Sequence, residues 1–310
     1  MSIKNLKNDF KKGVISKKEF IESMHNYHIN LKSISEEIEN TEIEKIEIIK
    51  NKVLFYVKSP GKLKPSIFDV DLQDKREPPV EAFNFCAYED QDSKMINKLA
   101  ENCKIIFDIG ANIGWYSIQF ALCESKFIYA FEPVKSIFQK LEQNIKLNAL
   151  NNIYSFNAGL SDKNMEADIY YDPNLTGASS LKGLNKNYLE KIKCKFLKLD
   201  DFLYENNVSK VDFLKIDVEG NELNVIKGGL NCIKSNKPIL FLELLRKWAK
   251  EFNYHPNDVV KILDEIGYDC YVTKENGLIK ILEVNDHTES TNFFFLNRKT
   301  HVDLINKFKI

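Results

Sequence analysis

Apolar and polar positions recur along this chain with helical and strand periods, and the pattern changes near residue 90. Within residues 16–38 apolar side chains recur at helical spacing behind a Ser16 and Glu19 capping-box pattern, which predicts a helix. Residues 46–49 and 53–57 are apolar and rich in β-branched side chains; together they predict a hairpin, and residues 66–70 predict a third strand. We therefore predict an accessory region over residues 1–90, built from a helix and a small sheet, that acts as a lid or a dimerisation element.

Residues 91–310 alternate between strand and helix patterns, as a parallel sheet requires. The alternation lapses between residues 158 and 200, where short strands are predicted around a polar loop. We predict an α/β fold with a Rossmann-like sheet that is mostly parallel and has an antiparallel C-terminal strand. The predicted strands cover residues 105–109, 127–131, 153–157, 167–171, 194–199, 211–216, 239–242 and 292–296, and the predicted helices cover residues 93–101, 115–122, 134–147, 222–233 and 257–266.

Composition and charge exclude several classes of protein. The 44 basic and 45 acidic residues nearly cancel, so the chain lacks the electrostatic footprint of a nucleic-acid-binding protein. The six cysteines show no Cys-x-x-Cys spacing, which favours a reduced compartment over a disulfide framework or a zinc site. No apolar window of about 18 residues occurs, and the N-terminus has no apolar signal region. We expect a cytoplasmic protein that binds neither nucleic acid nor membrane.

A glycine turn follows the first strand of the predicted sheet. Gly110 and Gly114 allow a sharp turn and close approach of a ligand, and the next helix directs free N–H groups at an anionic ligand group. Glu132 ends the next strand, at a spacing suited to accepting hydrogen bonds from two ribose hydroxyls. The pattern predicts a nucleotide-type cofactor site.

Charge at this turn distinguishes two cofactors. A dinucleotide site presents a pyrophosphate to a Gly-x-Gly-x-x-Gly turn, whereas this turn has Gly-x-x-x-Gly spacing and Asp108, which would repel phosphate. S-adenosylmethionine carries no phosphate; its ammonium suits Asp108 and its carboxylate suits the helix start. The residues therefore favour S-adenosylmethionine, with a purely structural turn and an exposed Asp108 as the alternative.

Carboxyl side chains end four of the predicted strands, at Asp108, Glu132, Asp217 and Glu243. Ligands of open α/β sheets bind beyond the carboxyl ends of the strands. Asp217 and Glu243 follow strongly apolar strands, where a buried acid is costly without a partner, so we favour a function for both. Glu219 is equally well explained by the dipole of the helix that follows it.

Five short motifs follow one another along the chain. They are Asp-Ile-Gly-Ala-Asn-Ile-Gly at 108–114, Phe-Glu-Pro at 131–133, Gly-Leu-Ser-Asp at 159–162, Leu-Asp-Asp at 199–201 and Lys-Ile-Asp-Val-Glu-Gly-Asn-Glu at 215–222. In this order they resemble the FkbM family of methyltransferases. The resemblance covers roughly residues 100–245 and implies a class I fold that uses S-adenosylmethionine to methylate hydroxyls of natural products, sugars or glycans. It also implies that Asp108, Gly110, Asn112, Gly114 and Glu132 line the cofactor, with Asp162 near the adenine.

Methyl transfer to a hydroxyl requires a group that accepts the proton. We expect Asp217, at the fourth strand end, to be this base, with Glu243 and His255 as alternatives. Asp217, Glu219 and Glu243 could instead hold a divalent cation, which we rank below direct base catalysis, so no metal ligand is assigned.

Two other functions stay open. An NAD(P)-dependent oxidoreductase shares the pattern of strand, glycine turn, helix and acid, and a non-catalytic binding protein could use the same fold. The expected partners are a small-molecule or carbohydrate acceptor, held in part by the loop at residues 163–193, and a second copy of the chain through the N-terminal region.

Overall fold

A helical hairpin and a small antiparallel sheet form the N-terminal part of the protein. The computed structural model describes residues 2–59, 61–62, 64–172, 177, 179–182 and 190–310. The predicted capping box is confirmed: the Ser16 hydroxyl accepts from the Glu19 N–H at 3.2 Å, and the Glu19 carboxylate accepts from the Ser16 N–H at 2.8 Å. The elements are α1 (Ile3–Lys11), α2 (Lys17–Glu37), β1 (Ile43–Ile49), β2 (Lys52–Val57) and β3 (Ser66–Asp69), with strand order β1-β2-β3.

Five of the described helices are not predicted by the sequence patterns: α1 and the helices at residues 78–84, 199–205, 246–251 and 302–308. The predicted helix at 222–233 is two helices that meet at Gly229. In chain order the elements are α3 (Pro78–Asn84), α4 (Asp90–Leu99), β4 (Ile105–Ile109), α5 (Trp115–Ala121), β5 (Phe127–Phe131), α6 (Lys135–Leu147), β6 (Ile153–Phe156), β7 (Gly159–Ser161), β8 (Met165–Tyr171), β9 (Glu190–Lys198), α7 (Leu199–Glu205), β10 (Phe213–Ile216), α8 (Glu222–Gly228), α9 (Leu230–Asn236), β11 (Ile239–Glu243), α10 (Arg246–Glu251), α11 (Pro256–Glu265), β12 (Tyr268–Lys274), β13 (Gly277–Ile281), β14 (Asn292–Asn297) and α12 (Val302–Phe308).

An eight-stranded sheet, in the order β13-β12-β14-β11-β10-β4-β5-β6, forms the centre of the fold. The five strands from β11 to β6 run parallel, and β14, β12 and β13 join them through antiparallel pairs. Every residue of β14 is buried, as its apolar run predicts. The α/β class and the mostly parallel sheet are confirmed, with three strands in antiparallel pairing where one was predicted.

The strand predicted at 194–199 does not join the central sheet. It is part of β9, which pairs parallel with β7 and antiparallel with β8 in a separate three-stranded sheet. A strand pattern reports burial and period but not the pairing partner, so the sequence could not distinguish the two sheets. Among the described residues, no helix is long and apolar enough to cross a bilayer.

Two asparagines of α6 close the free edge of β3 and so attach the small sheet to the central one. The buried Asn144 accepts from the Asp69 N–H at 2.9 Å and donates to the Ile113 carbonyl at 2.9 Å. Asn148 accepts from the Ile67 N–H at 2.8 Å and donates to its carbonyl at 2.7 Å. The unpaired groups of an edge strand are thus satisfied by amide side chains. The N-terminal region is therefore hydrogen-bonded to a helix of the central sheet.

We expect Asn144→Ala to lower the free energy of unfolding by about 1–3 kcal/mol, because it leaves the partly buried Asp69 N–H and the buried Ile113 carbonyl without this partner. Urea denaturation measures this change. The matched control is Gln143→Ala, on the exposed face of the same helix, which should change stability by less than about 0.5 kcal/mol. Equal losses in both variants would contradict the anchoring role of Asn144.

Candidate active site

A cavity of about 470 Å³ opens where the parallel strands end. Gly110 and Asn112 after β4, Glu132 after β5, Asp217 after β10 and Glu243 at the end of β11 all line it. Its volume lies within the range of about 300–1,000 Å³ that is usual for small-molecule sites. The cavity therefore lies at the edge of the sheet where the sequence predicts ligand binding, beyond the strands that end in the four acids.

The two glycines of the first turn are required by contacts within the chain. Gly110 has φ +79°, and a Cβ there would lie 1.8 Å from the Asp217 carbonyl oxygen. Gly114 has φ +94°, and a Cβ there would lie 2.6 Å from Leu141 Cδ1. Both backbone angles favour glycine. The sequence predicts glycines here for a sharp turn and for close approach of a ligand; the structure adds close packing of this turn against Asp217 and Leu141 as a further reason.

Glu132 is held rigidly beside this turn. One carboxylate oxygen accepts from the Asn112 N–H at 3.1 Å and the other from the Val134 N–H at 2.8 Å. Burial raises the pKa of Glu132 to about 7. Each carboxylate oxygen has two lone pairs, so both retain acceptor capacity for hydroxyl groups of a ligand.

Asp108 lies behind the cavity wall. Its side chain is fully buried, it accepts from the Ser117 hydroxyl at 2.6 Å, and its other oxygen lies 3.2 Å from Lys215 Nζ. It does not line the cavity, so the expected direct contact with a ligand ammonium has no support. Its charge is matched by the protein itself.

Lys215 is a site residue that the sequence interpretation did not assign. Its side chain is 4% exposed and lines the cavity, and Nζ lies 3.2 Å from Asp108 and 3.4 Å from Asp217. Nζ also donates to the Gly110 carbonyl at 2.7 Å. The available signal was a charged residue inside an otherwise apolar, buried strand, where a lysine requires partners.

Three carboxylates cluster at the ends of β10 and β11. Asp217, Glu219 and Glu243 each place one oxygen within 4.8 Å of the others. Burial, and next the charge of Asp217, raise the pKa of both Glu219 and Glu243. Such a group can share protons or bind a divalent cation through its oxygens.

Glu222 holds the turn on which Asp217 and Glu219 lie. One oxygen of its buried carboxyl accepts from the N–H groups of Gly220 at 2.9 Å and Val218 at 3.3 Å, and the other accepts from the Tyr254 hydroxyl at 2.8 Å. Burial raises the pKa of Glu222 to about 7. The turn that carries Asp217 and Glu219 is therefore held in place by hydrogen bonds to the buried Glu222 side chain.

A second wall of the cavity comes from the segment before α4. Arg76, Glu81, Phe85, Tyr88 and Glu89 line it, although no sequence motif marks them. Glu89 accepts hydrogen bonds from the Tyr116 hydroxyl and from Asn292 Nδ2, and burial raises its pKa. Residues of the accessory region, for which a lid was one of the two predicted roles, therefore line the site.

The described residues of the segment between β8 and β9 also line the cavity. Gly177, Ser179, Ser180 and Leu181 line the cavity, and the Ser180 hydroxyl donates to the Glu219 carbonyl at 2.5 Å. The acceptor loop predicted at 163–193 thus reaches the site through its serines, whereas its residues 173–176, 178 and 183–189 lie outside the described residues.

The model of the methyltransferase FkbM domain matches residues 108–270, which is more than half of the chain. The chain belongs to this family. Hexuronic acid methyltransferase AglP of Haloferax volcanii is 29% identical over 185 residues, which cover 59% of this chain and 71% of AglP. Methyltransferase sdnD of Sordaria araneosa is 32% identical over 154 residues, which cover 40% of this chain and 59% of sdnD.

Solved structures with a similar arrangement include the FkbM methyltransferase of Methylobacillus flagellatus. It is 14% identical, with a TM-score of 0.41, and the match covers 73% of this chain and 55% of that one. A putative methyltransferase of Streptococcus mutans in complex with SAH is 11% identical, with a TM-score of 0.40, over 66% of this chain and 97% of that one.

Besides Asp108, three residues expected at the site of this FkbM methyltransferase do not line the cavity: Gly114, Asp162 and His255. Asp162 is exposed and does not line the cavity; its neighbours Gly159 and Leu160 do. His255 is exposed and caps α11: its Nδ1 accepts from the Asn257 N–H at 3.2 Å, and its own N–H donates to Asp258 at 2.8 Å. The adenine contact of Asp162 and the base role of His255 therefore have no support.

The cavity offers unused polar atoms that fit S-adenosylmethionine. The Asn112 side-chain oxygen and the Trp115 indole N–H are buried and have no partner among the described residues. Burial raises the pKa of four carboxyl groups in the described part of the wall, Glu89, Glu132, Glu219 and Glu243, so these groups can donate as well as accept hydrogen bonds. The residues present therefore fit the cofactor that the first turn predicts.

We expect Glu222→Gln to raise stability above pH 7 and to leave it unchanged near pH 4. The folded-state pKa of Glu222 is raised to about 7, so its contribution is fully present below about pH 4.5 and is lost as the pH rises through about 7. Glutamine stays neutral, accepts from the same N–H groups and can donate to Tyr254. The difference should reach roughly 3 kcal/mol at pH 8, measured by urea denaturation across this range. A difference that does not change with pH would contradict the buried, neutral carboxyl.

Proposed function

We propose that this protein is an S-adenosylmethionine-dependent O-methyltransferase that acts on a hydroxyl of a sugar, a glycan or a glycosylated natural product. The observation that carries the proposal is the pairing, in one cavity, of a cofactor-type turn at Gly110 and Glu132 with the carboxylates of Asp217 and Glu243. The relative AglP is named a hexuronic acid methyltransferase, which supports a sugar acceptor.

The cofactor is held by the turn after β4 and by the end of β5. Glu132 accepts hydrogen bonds from the ribose hydroxyls, since its carboxylate is fixed by two backbone N–H groups and keeps free lone pairs. Asn112 and Trp115 supply the unused acceptor and donor beside it. Bound S-adenosylmethionine would supply a methyl group on a positively charged sulfur.

Asp217 accepts the proton of the acceptor hydroxyl. It lines the cavity and its side chain is 33% exposed, so a hydroxyl can reach it. Glu243 and Glu219 lie within the same cluster, so the acceptor meets several oxygen atoms that can receive its hydroxyl hydrogens. Orientation supplies much of the rate, because a positioned hydroxyl reacts with an effective concentration of about 10⁵ M or more.

The acceptor lies between the segment that contains Tyr88 and Glu89 and the helix that begins after Leu245. Trp248 and Phe85 add aromatic surface to this part of the cavity. Aromatic faces pack against the C–H faces of sugar rings, while carboxylates bind their hydroxyls. This combination supports a carbohydrate more than an entirely apolar acceptor.

Cofactor binding is tested by calorimetry with S-adenosylmethionine and, separately, with NADH. We expect S-adenosylmethionine to bind and Glu132→Ala to weaken its binding about 10- to 100-fold, the loss of a hydrogen bond to a charged acceptor. The matched control is Asp162→Ala, which should bind as the wild type does because Asp162 is exposed and off the cavity. Binding of NADH without binding of S-adenosylmethionine would end the proposal in favour of an oxidoreductase.

The base is tested with Asp217→Asn in a methyl-transfer assay on oligosaccharides with free hydroxyls. We expect kcat to fall about 10²- to 10⁴-fold, since the amide cannot accept the proton, while the affinity for S-adenosylmethionine stays within about twofold. His255→Asn keeps the helix cap and should leave kcat unchanged. A full rate in Asp217→Asn would move the base to another carboxylate.

A further inference from the structure

We propose that the protein forms an antiparallel homodimer through an apolar stripe on α2. The inference concerns the N-terminal helical hairpin and is independent of methyl transfer. Apolar side chains recur there at alternating spacings of four and three residues, which is the a/d spacing with which one helix packs along another. The stripe consists of five residues of α2 and the residue that follows it, namely Phe20, Met24, Tyr27, Leu31, Ile34 and Ile38.

The stripe is only partly covered within the chain. α1 has nine residues and α2 has 21, which correspond to lengths of about 14 Å and about 31 Å, so α1 spans less than half of α2. Phe10 of α1 stacks on Phe20, with 4.7 Å between the ring centres, and Ile38 packs against the core at the other end. Leu31 and Ile34 lie between these contacts and are exposed. The middle of the stripe is therefore open to a partner.

Exposed apolar side chains are concentrated on this hairpin. Among the described residues, seven of the 17 large apolar side chains that are exposed lie within residues 3–34. Single exposed apolar residues are normal on a monomer, whereas a concentration of them marks an interaction site. Two of the seven, Ile3 and Phe10, belong to α1. Association of two hairpins would therefore bring together four helices, each with an apolar face, as in a helix bundle.

Charge at the two ends of α2 identifies the partner as a second copy of the chain. Residues 11–18 contain four lysines and no acid, whereas residues 36–44 contain five glutamates and no base. In an antiparallel pair of hairpins, the basic end of each α2 lies against the acidic end of the other, whereas a parallel pair would bring like charges together. A two-fold axis makes such a surface complementary to itself.

The dipole of α2 supports the same orientation. Basic residues are favourable near the C-terminus of a helix, yet the last turn of α2 has none and contains Glu36 and Glu37. Lys17 and Lys18 lie at the N-terminus, where cations are unfavourable. An antiparallel neighbour places its positive helix end and its lysines beside these glutamates. The charges that oppose the dipole of their own helix therefore suit a partner helix of reversed direction.

The stripe is tested by sedimentation equilibrium of the full chain, with Leu31→Glu and the matched control Ile29→Glu. Both side chains are 50% exposed, but residues two apart on a helix do not share a face, so only Leu31 lies in the stripe. We expect the wild type to sediment as a dimer of 36.0 kDa chains. Leu31→Glu should raise the Kd about 100-fold or more, because the dimer would bury two unpaired carboxylates, whereas Ile29→Glu should change it less than about threefold.

Folding and catalysis do not complicate this test. No residue of α2 is buried, so both variants should keep the near-ultraviolet circular dichroism spectrum of the wild type. None of the described residues 2–59 lines the cavity, and sedimentation needs neither cofactor nor acceptor, so the result does not depend on the proposed function. The proposal would be overturned by equal effects of the two variants. A wild type that stays monomeric at about 0.1 mM, where even weak complexes form, would also overturn it, whether or not the stripe then binds lipid vesicles or another protein.

The orientation is tested with Lys17→Glu and with Lys17→Glu/Glu37→Lys, which change charges beside the stripe at opposite ends of α2. In an antiparallel dimer Lys17→Glu replaces attraction by repulsion at both ends, so the Kd at low salt should rise about threefold to tenfold. Adding Glu37→Lys should reverse this rise. In a parallel dimer Lys17→Glu leaves like charges opposed. An unchanged Kd, or a rise that Glu37→Lys does not reverse, would therefore overturn the antiparallel arrangement.

Discussion

A buried ammonium with carboxylates on two sides is the interaction on which the rest of this site depends. Lys215 lies on β10, opposite Asp108 of the neighbouring parallel strand β4, and Asp217 lies in the turn that follows β10. Removing one member of a buried pair costs about 3–5 kcal/mol, because the other charge remains in a dry environment. The stability of the sheet centre and the electrostatics of the cavity are therefore set by the same three side chains.

Three non-glycine residues that line the cavity have a positive backbone φ angle. Glu89, Asn112 and Glu219 each have φ +49°, in the left-handed region that non-glycine residues seldom adopt, and all three line the cavity. Such conformations persist where the surroundings hold them, and they cluster at functional sites. Glu222 supplies this support under Glu219 through its bonds to neighbouring N–H groups. Buried hydrogen bonds therefore hold the turn that carries Glu219 in its conformation.

The sequence predicted the site where a strand pattern could be combined with the geometry of a parallel sheet. Parallel strands end at one edge, so the acids at 132, 217 and 243 could be placed together from their strand patterns alone. It was uninformative where long-range contacts decide. Glu89 reaches the cavity because Tyr116 and Asn292 bind it, β9 pairs with β8 rather than with the central sheet, and His255 is used as a helix cap. Asp162, which the family motif suggested, faces solvent one residue beyond the buried Ser161. None of these contacts produces a helical or strand pattern in the sequence from which it could be predicted.

The contact of Gly110 with the Asp217 carbonyl gives the glycine signature a different meaning. No side chain fits between the first turn and the end of β10 without displacing the backbone of Asp217, the residue that we propose as the base. Two turns that lie more than 100 residues apart in the chain are thus packed directly against each other. Gly110, a glycine of the family motif, therefore determines how the first turn is aligned with the end of β10. A chain with a larger residue at this position would have a differently aligned pocket, even where every ligand contact was preserved.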